Sequence, residues 1–471
     1  MQRRDFLQFT LSSSTLFFGL TSLPFTSHAA KSSLISPGCR KSKVKIARLF
    51  LGKPEPHWPH PTLDLQAEQN MYEQEFARMQ QDFADVEFTV TQLLSAPEEI
   101  DSIAASIVDA DGILVIQLTI GTGSILEKIL TLKKPTVLFA APYSGHEWVR
   151  FGSMMQGENG KYLECLLTSD TSKLAEAIRP IRAIHHFREA KILNVTSRRM
   201  NPDYVQAVQK KFGTILKPIS REQMLEAYNS ISDEAARAET QEWIQNAIAV
   251  VEPSEDEIFR SCKLALAFEQ LLNEEEATVI TVDCYGSMYR QLPAFPCIGF
   301  TRLNDMGYGG ICESDLQCAM THILLQSISG KPGFISDPTM DVSRNATILA
   351  HCLGTRCMDG PDGAIAPYKL RTIMERQEGA VPQVFMRNGE KVTQALLVQD
   401  QQLLYFTGTV IEVPDTERGC RTKITVQVDG DAEQLWKNWS NGLHRVTCYG
   451  DITQDLKRFC RLMEIDFKAE V

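Results

Sequence analysis

Gly112-Ile113-Leu114-Val115-Ile116-Gln117, then Gly121-Thr122-Gly123-Ser124, then Pro135-Thr136-Val137-Leu138-Phe139-Ala140 is the stretch that decides the fold of this 471-residue chain. Two short apolar runs bounded by turn residues read as strands buried on both faces, and the Gly-rich turn between them opens a helix. Strands buried on both faces occur in parallel sheets covered by helices. Working outward, a strand over 44–51, a helix over 65–83, a strand over 86–90 and a helix over 97–109 keep the same alternation. A doubly wound α/β domain over 44–165 is therefore expected. The lone Gly121-Thr122-Gly123-Ser124 turn is weak evidence for a phosphate cradle and reads as a plain strand-to-helix connection.

The alternation resumes with a strand over 190–195, a helix over 202–212, a helical run over 255–276 that is acidic at both ends, and a strand over 277–283, giving a second α/β domain over 166–330. Beyond Pro367 the texture changes to alternating strands over 383–386, 392–398, 403–413, 421–428 and 444–449, so 331–471 reads as an antiparallel, β-rich domain. The expected class is α/β: two doubly wound parallel-sheet domains followed by a β-rich antiparallel C-terminal domain.

The net charge of −11, without a Lys/Arg cluster, excludes nucleic acid as a partner. Met1-Gln2-Arg3-Arg4-Asp5-Phe6-Leu7-Gln8, a modest apolar region and Ser27-His28-Ala29 form a twin-arginine export signal over 1–29, cut after Ala29, so a periplasmic or otherwise exported location is expected. No other run approaches the roughly 18 apolar residues that span a bilayer, so no stable membrane insertion is expected once the signal is removed. The twelve cysteines show no C-x-x-C pairing and sit in apolar segments, which fits reduced, buried thiols acquired by folding before export.

The chemistry concentrates in 310–351. Glu313 precedes Leu316, Met320, Ile323, Leu324 and Ile328 at helical spacing and is expected in the first turn of a helix, where its charge suits the helix dipole. After the turn Ser329-Gly330-Lys331-Pro332-Gly333, a strand Phe334-Ile335-Ser336 is expected to stop at Pro338 and leave Asp337 at its tip. A second strand over 346–350 ends at His351. Glu, Asp and His make a mixed oxygen and nitrogen set suited to Mn²⁺, Mg²⁺, Fe²⁺ or Co²⁺. Other candidates rank lower. His57 and His60 lie among four prolines that forbid a helix; His185-His186 lacks an acidic neighbour and reads as surface or hinge; His322 reads as a core histidine. Asp283 ends a strand where open α/β sheets bind ligands and is a candidate supporting residue. Arg356, Lys369 and Arg371 read as exposed loop charges, with a substrate-orienting role as the alternative.

The motifs Cys312-Glu313-Ser314-Asp315, Phe334-Ile335-Ser336-Asp337, Ile348-Leu349-Ala350-His351-Cys352 and Leu443-His444-Arg445-Val446-Thr447-Cys448-Tyr449-Gly450-Asp451 resemble those of the L-fucose and L-arabinose isomerase superfamily over about 279–462. The resemblance implies metal ligation by Glu313, Asp337, His351 and His444, usually of Mn²⁺. It also implies that Glu313 and Asp337 act as the acid/base pair of an aldose–ketose isomerase working through an enediol, on a small-molecule sugar, in a homo-oligomer. The chain departs from the superfamily in its shorter length, its export signal and its mixture of both subfamilies' ligands. An exported non-catalytic sugar-binding protein, or another metal-dependent carbohydrate enzyme such as an epimerase, lyase or hydrolase, remains the alternative.

Overall fold

In the structure, a computed structural model describing residues 34–471, strand β1 (Val44–Leu51) is buried along nearly its whole length. The expected export signal over 1–29 lies outside the described residues. Strands β2 (Val86–Leu94), β3 (Gly112–Gln117), β4 (Thr136–Ala140) and β5 (Leu163–Leu167) join β1 in an all-parallel sheet of order β2-β1-β3-β4-β5. Every residue of β3 and β4 is buried, because helices such as Leu65–Arg78 and Gly123–Leu130 cover the two faces.

A second parallel sheet contains β6 (Lys191–Val195), β7 (Ile215–Ile219) and, past the two-residue β8 (Ala249–Val250), β9 (Val279–Val282) and β10 (Gly309–Cys312), in the order β10-β9-β6-β7. β10 lies tight on the helix Cys297–Asp305: a Cβ on Gly310 would stand 2.4 Å from the Phe300 Cα, so only glycine permits this approach.

The chain then enters an antiparallel sheet built from β11 (Phe334–Asp341) and β12 (Ala346–His351). A side sheet holds β13 (Tyr368–Arg371) and β14 (Val381–Val384). The main sheet continues through β15 (Lys391–Val398), β16 (Gln402–Glu412), β17 (Thr422–Val428), β18 (Arg445–Tyr449) and β19 (Asp466–Ala469). Its order is β15-β18-β11-β12-β17-β16, and β15 also pairs with β16, so six strands close into a barrel with β19 added parallel to β16. Closure removes exposed edges. Alternate residues supply two cores: Phe334, Leu349, Phe406 and Ile424 pack together, while Ile335, Val446 and Leu397 pack with Met320 and Ile323 of the helix Leu316–Ser329. This is the expected class, two parallel α/β sheets followed by an antiparallel β region.

Two local expectations are corrected here. β11 does not stop at Pro338 but runs to Asp341, and Asp337 lies inside the strand opposite Ala350. Proline is tolerated because β18 accompanies β11 only along Phe334–Ser336, so the strand has one bare edge at Pro338. His185 and His186 are not surface residues: both are buried on the helix Arg179–Glu189 and both have partners. His185 Nδ1 lies 2.8 Å from Asp111 Oδ2, while His186 bonds Ser327 Oγ at 2.8 Å and Ser36 Oγ at 3.0 Å. Asp111 follows the first sheet's turn into β3 and also accepts from the Lys45 amide, so this pair ties the first sheet to the helix that leads to the second.

Burial pulls the His185 pKa down, but the Asp111 hydrogen bond, with Cys39, reverses this and pushes it up to about 10. Asp111 is held below the usual carboxylate value despite its own burial, chiefly by His185. A raised histidine stabilises the fold fully below its unfolded value of about 6.5 and loses that contribution as pH rises through its folded value. Unfolding by denaturant should therefore show Asp111→Ala to be less stable by about 3–5 kcal/mol near neutrality, since it strands a buried cation. The wild-type advantage over Asp111→Asn should shrink as pH rises from about 6.5 toward 10; a pH-independent difference would contradict the charged pairing.

Candidate metal centre

Glu313 leaves the C-terminal end of β10 in a loop, two residues before the helix cap, and not in the first turn of the helix as its spacing implied. The helix begins at Leu316 and Asp315 is its N-cap, accepting from the Cys318 amide at 2.9 Å. Glu313 and Ser314 both take left-handed backbone, with φ of 62° and 55°. Each such non-glycine residue costs on the order of 1 kcal/mol or more. The loop is held by the Ser314 amide donating to Val282 O at 3.1 Å and the Ser314 hydroxyl donating to Asn194 Oδ1 at 2.6 Å. Strain and anchoring together present the Glu313 carboxylate at the edge of the second sheet, facing the barrel.

From the barrel come the other three side chains. Asp337 projects from β11 and His351 ends β12. His444 immediately precedes β18, where Arg445 is fully buried, bonded to Glu470 and to the Ser440 carbonyl. His444 Nδ1 donates to Asp315 Oδ2 at 3.0 Å. The same carboxylate thus caps the helix with one oxygen and orients the imidazole with the other. With Nδ1 so engaged, Nε2 faces Asp337 Oδ1 at 3.2 Å and Glu313 Oε2 at 3.8 Å. His351 stacks obliquely on His444, ring centroids 5.5 Å apart. All four residues named from the sequence are therefore brought together. Asp315, not singled out from the sequence, carried a visible sign: an Asp directly ahead of an apolar helical run is an N-cap pattern.

Asp337 Oδ1, His351 Nε2 and His444 Nε2 are buried atoms with no hydrogen-bond partner among the described residues. An orphaned buried polar group costs about 1–3 kcal/mol, so three converging ones are expected to share something. Two ligands about 2.1 Å from one ion at a right angle stand about 3.0 Å apart, close to the His444 to Asp337 separation. The residues present fit a divalent ion. Burial raises the pKa of Glu313; His444 opposes this while Asp337, Asp315 and Asp283 add to it. Burial likewise raises Asp337, opposed by His444 and reinforced by Glu375. His444 itself is raised: burial lowers it, and Asp315, Asp337 and Glu313 outweigh that. Positive charge is thus favoured at this point. Burial pulls His351 down to about 3, so its ring is neutral, and its Nδ1 accepts from the Cys352 amide at 2.9 Å.

The remaining candidates fall elsewhere. Asp283 is near enough for its charge to act on Glu313 and is held by the Ser287 amide at 2.8 Å and by Arg198 at 3.2 Å. His322 is fully buried and accepts from the Gly333 amide at 3.1 Å, as a core histidine should. Arg356 is not an exposed charge: it is half-buried, pairs with Asp305 at 2.6 Å and lies 4.1 Å from the Trp243 ring centroid. Lys369 pairs with Asp415, and Arg371, which is buried, with Glu252 and Glu417. His57 and His60 are exposed on the proline-rich loop, outside the cluster. All twelve cysteines are free thiols, ten of them buried.

No family model matches the chain. It is similar to a protein named sulfoquinovose isomerase from Alkalicoccus urumqiensis, 21% identical over 216 residues, covering 44% of this chain and 47% of the relative. It is also similar to one of the same name from Clostridium sp. (strain MSTE9), 22% identical over 274 residues, covering 55% of this chain and 59% of the relative. The chain thus spans roughly half the length of these curated relatives, and its likeness to them is a likeness to proteins named as sugar isomerases.

Proposed function

We propose that this protein is a metal-dependent aldose–ketose isomerase, with Glu313, Asp337 and His444 as the ligands of a divalent ion, Mn²⁺ being the ion that the superfamily resemblance implies. The observation that carries the reading is the convergence of orphaned buried atoms on His444 and Asp337 beside the Glu313 carboxylate. The name of the two relatives makes sulfoquinovose the first substrate to test, ahead of aldopentoses and 6-deoxyhexoses. Export by the twin-arginine route and assembly into a homo-oligomer belong to the same proposal.

A bound divalent ion would supply fixed positive charge to the two sugar oxygens that exchange roles as the enediol forms. The chain's own residues do the rest. Glu313 and Asp337 stand on opposite supports, one on the sheet edge and one on the barrel. Burial makes both better bases than ordinary carboxylates, as proton transfer between C1 and C2 requires. One takes the C2 proton and the acid so formed returns it to C1, while hydroxyl protons redistribute between O1 and O2. Asp315 fixes the His444 tautomer that leaves the Nε2 lone pair toward the ion, the usual carboxylate–histidine support of a metal ligand. In His351 the amide bond to Nδ1 puts the neutral ring's proton on Nε2. That nitrogen therefore serves first as a donor to a substrate oxygen, and joins the ion only if the proton moves.

Metal content by elemental analysis, measured with isomerase activity across Mn²⁺ concentration, tests the assignment. Glu313→Gln and Asp337→Asn should each abolish turnover; if both keep bound metal and turnover, the centre is wrongly placed. His444→Ala should lose metal affinity with partial rescue by excess Mn²⁺, and Asp315→Ala should weaken Mn²⁺ binding about 10–100-fold through the loosened imidazole. His351→Ala should lower kcat while changing Mn²⁺ affinity less than His444→Ala does.

A further inference from the structure

Next to this centre lies a second group of ligand-type side chains that the isomerase reading does not use. Cys352 leaves the end of β12 directly after His351, Cys420 stands two residues ahead of β17, and Glu375 sits in a turn of the segment between β13 and β14. One ligand atom from each lies within 4.8 Å of the other two. Glu375 Oε1 is 3.5 Å from Cys420 Sγ and Oε2 is 4.0 Å from Cys352 Sγ. Among the described residues these thiols are the only side-chain partners of the Glu375 carboxylate; no Lys, Arg or His pairs with it. The three segments are already tied together: β12 and β17 pair at His351 and Thr422, and buried Arg421, next to Cys420, donates to the Thr372 carbonyl at 2.7 Å. Thr372 in turn is held by Glu252, so the turn carrying Glu375 has a fixed root.

We propose that Cys352, Cys420 and Glu375 form a second metal site, one that takes a thiophilic ion of the zinc class. Two sulfurs on one tetrahedral zinc stand about 3.8 Å apart and a sulfur and a carboxylate oxygen about 3.6 Å, so the present spacing needs only side-chain adjustment to close on an ion. Two thiols favour zinc, and disfavour the manganese suited to the neighbouring oxygen-rich centre. Cys352 is buried, Cys420 half-buried and Glu375 exposed, which leaves the fourth position to water on the solvent side. Binding expels the two thiol protons and cross-links the turn to two barrel strands. Arg376 in the same turn lies 5.0 Å from the Tyr289 ring centroid, so the ion also braces the wall formed by the loop after β9.

The test uses full-length, reduced, metal-free protein titrated with Co²⁺, whose thiolate complexes give a charge-transfer band in the near ultraviolet. Wild type and Asp337→Asn, in which the first centre is disabled, should both give the band, and the variant should saturate it with one equivalent of cobalt. The double variant Cys352→Ser/Cys420→Ser should lack it, and Glu375→Gln should bind Co²⁺ about tenfold or more weakly. Zn²⁺ should protect two thiols from a disulfide reagent in wild type and none in the double variant. Absence of the band in wild type overturns the proposal. So does an unchanged band in the double variant, which would point to Cys284 and Cys312, whose sulfurs are 3.3 Å apart. If the double variant proves unfolded, Glu375→Gln decides the matter, because that side chain is exposed and outside the core: unchanged cobalt affinity refutes the site.

Discussion

Asp315 is where the two halves of the functional region are joined. One of its oxygens caps the helix Leu316–Ser329 and the other holds the His444 ring. The helix is buried almost throughout and packs between the second parallel sheet and the barrel, so its start cannot shift without moving both. Burial raises the pKa of Asp315, but the His444 hydrogen bond and then the Cys318 amide outweigh it and hold the carboxyl below its ordinary value. Asp315 therefore stays ionised beside two carboxylates whose pKa values are raised. This sorting of three acids by environment lets one serve as a permanent support while Glu313 and Asp337 are left able to exchange protons.

The energetic logic of the site is that of stored cost. Two left-handed residues in succession, three buried polar atoms without hydrogen-bond partners and several like charges are each unfavourable, and within the protein the Ser314 hydrogen bonds and the raised His444 offset only part of them. The surrounding structure carries them because the barrel is closed and the helix is capped, so the cluster cannot relax by opening. A divalent ion would offset the like charges and engage the Asp337 and His444 atoms, while the protonated His351 Nε2 is left for a substrate oxygen. The ion pairs elsewhere behave differently. His185 with Asp111, Arg356 with Asp305 and Arg445 with Glu470 are each matched internally, and they read as joints between elements.

Strand and helix identity could be read from the chain because they rest on local pattern. The continuous apolar runs of β1, β3 and β4, the alternation in β16 and the helical spacing after Glu313 each reflect burial on two faces, one face or one stripe. Their ends were less well determined. β11 passes through Pro338 because its neighbour has already departed, and the helix begins after Glu313 because Asp315 makes the better cap. Both outcomes depend on what lies across the gap. His185 and His186 make the same point: the acid near in sequence, Glu189, is not the partner, and Asp111, distant along the chain, lies 2.8 Å from His185.

By itself, the sequence determined the class of fold, two parallel sheets followed by an antiparallel region, because periodicity is carried by neighbours along the chain, and the likeness of its motifs to a known superfamily named Glu313, Asp337, His351 and His444. Only the tertiary structure decided that the barrel closes through β15 and β16, that Asp315 orients His444, and that Cys352 and Cys420 meet Glu375. The last two are contacts between segments separated by tens of residues or more, and the β15–β16 hairpin closes the barrel only because β15 also pairs with the distant β18. They are set by strand register and helix packing across the whole molecule, for which no local pattern in the chain provides a signal.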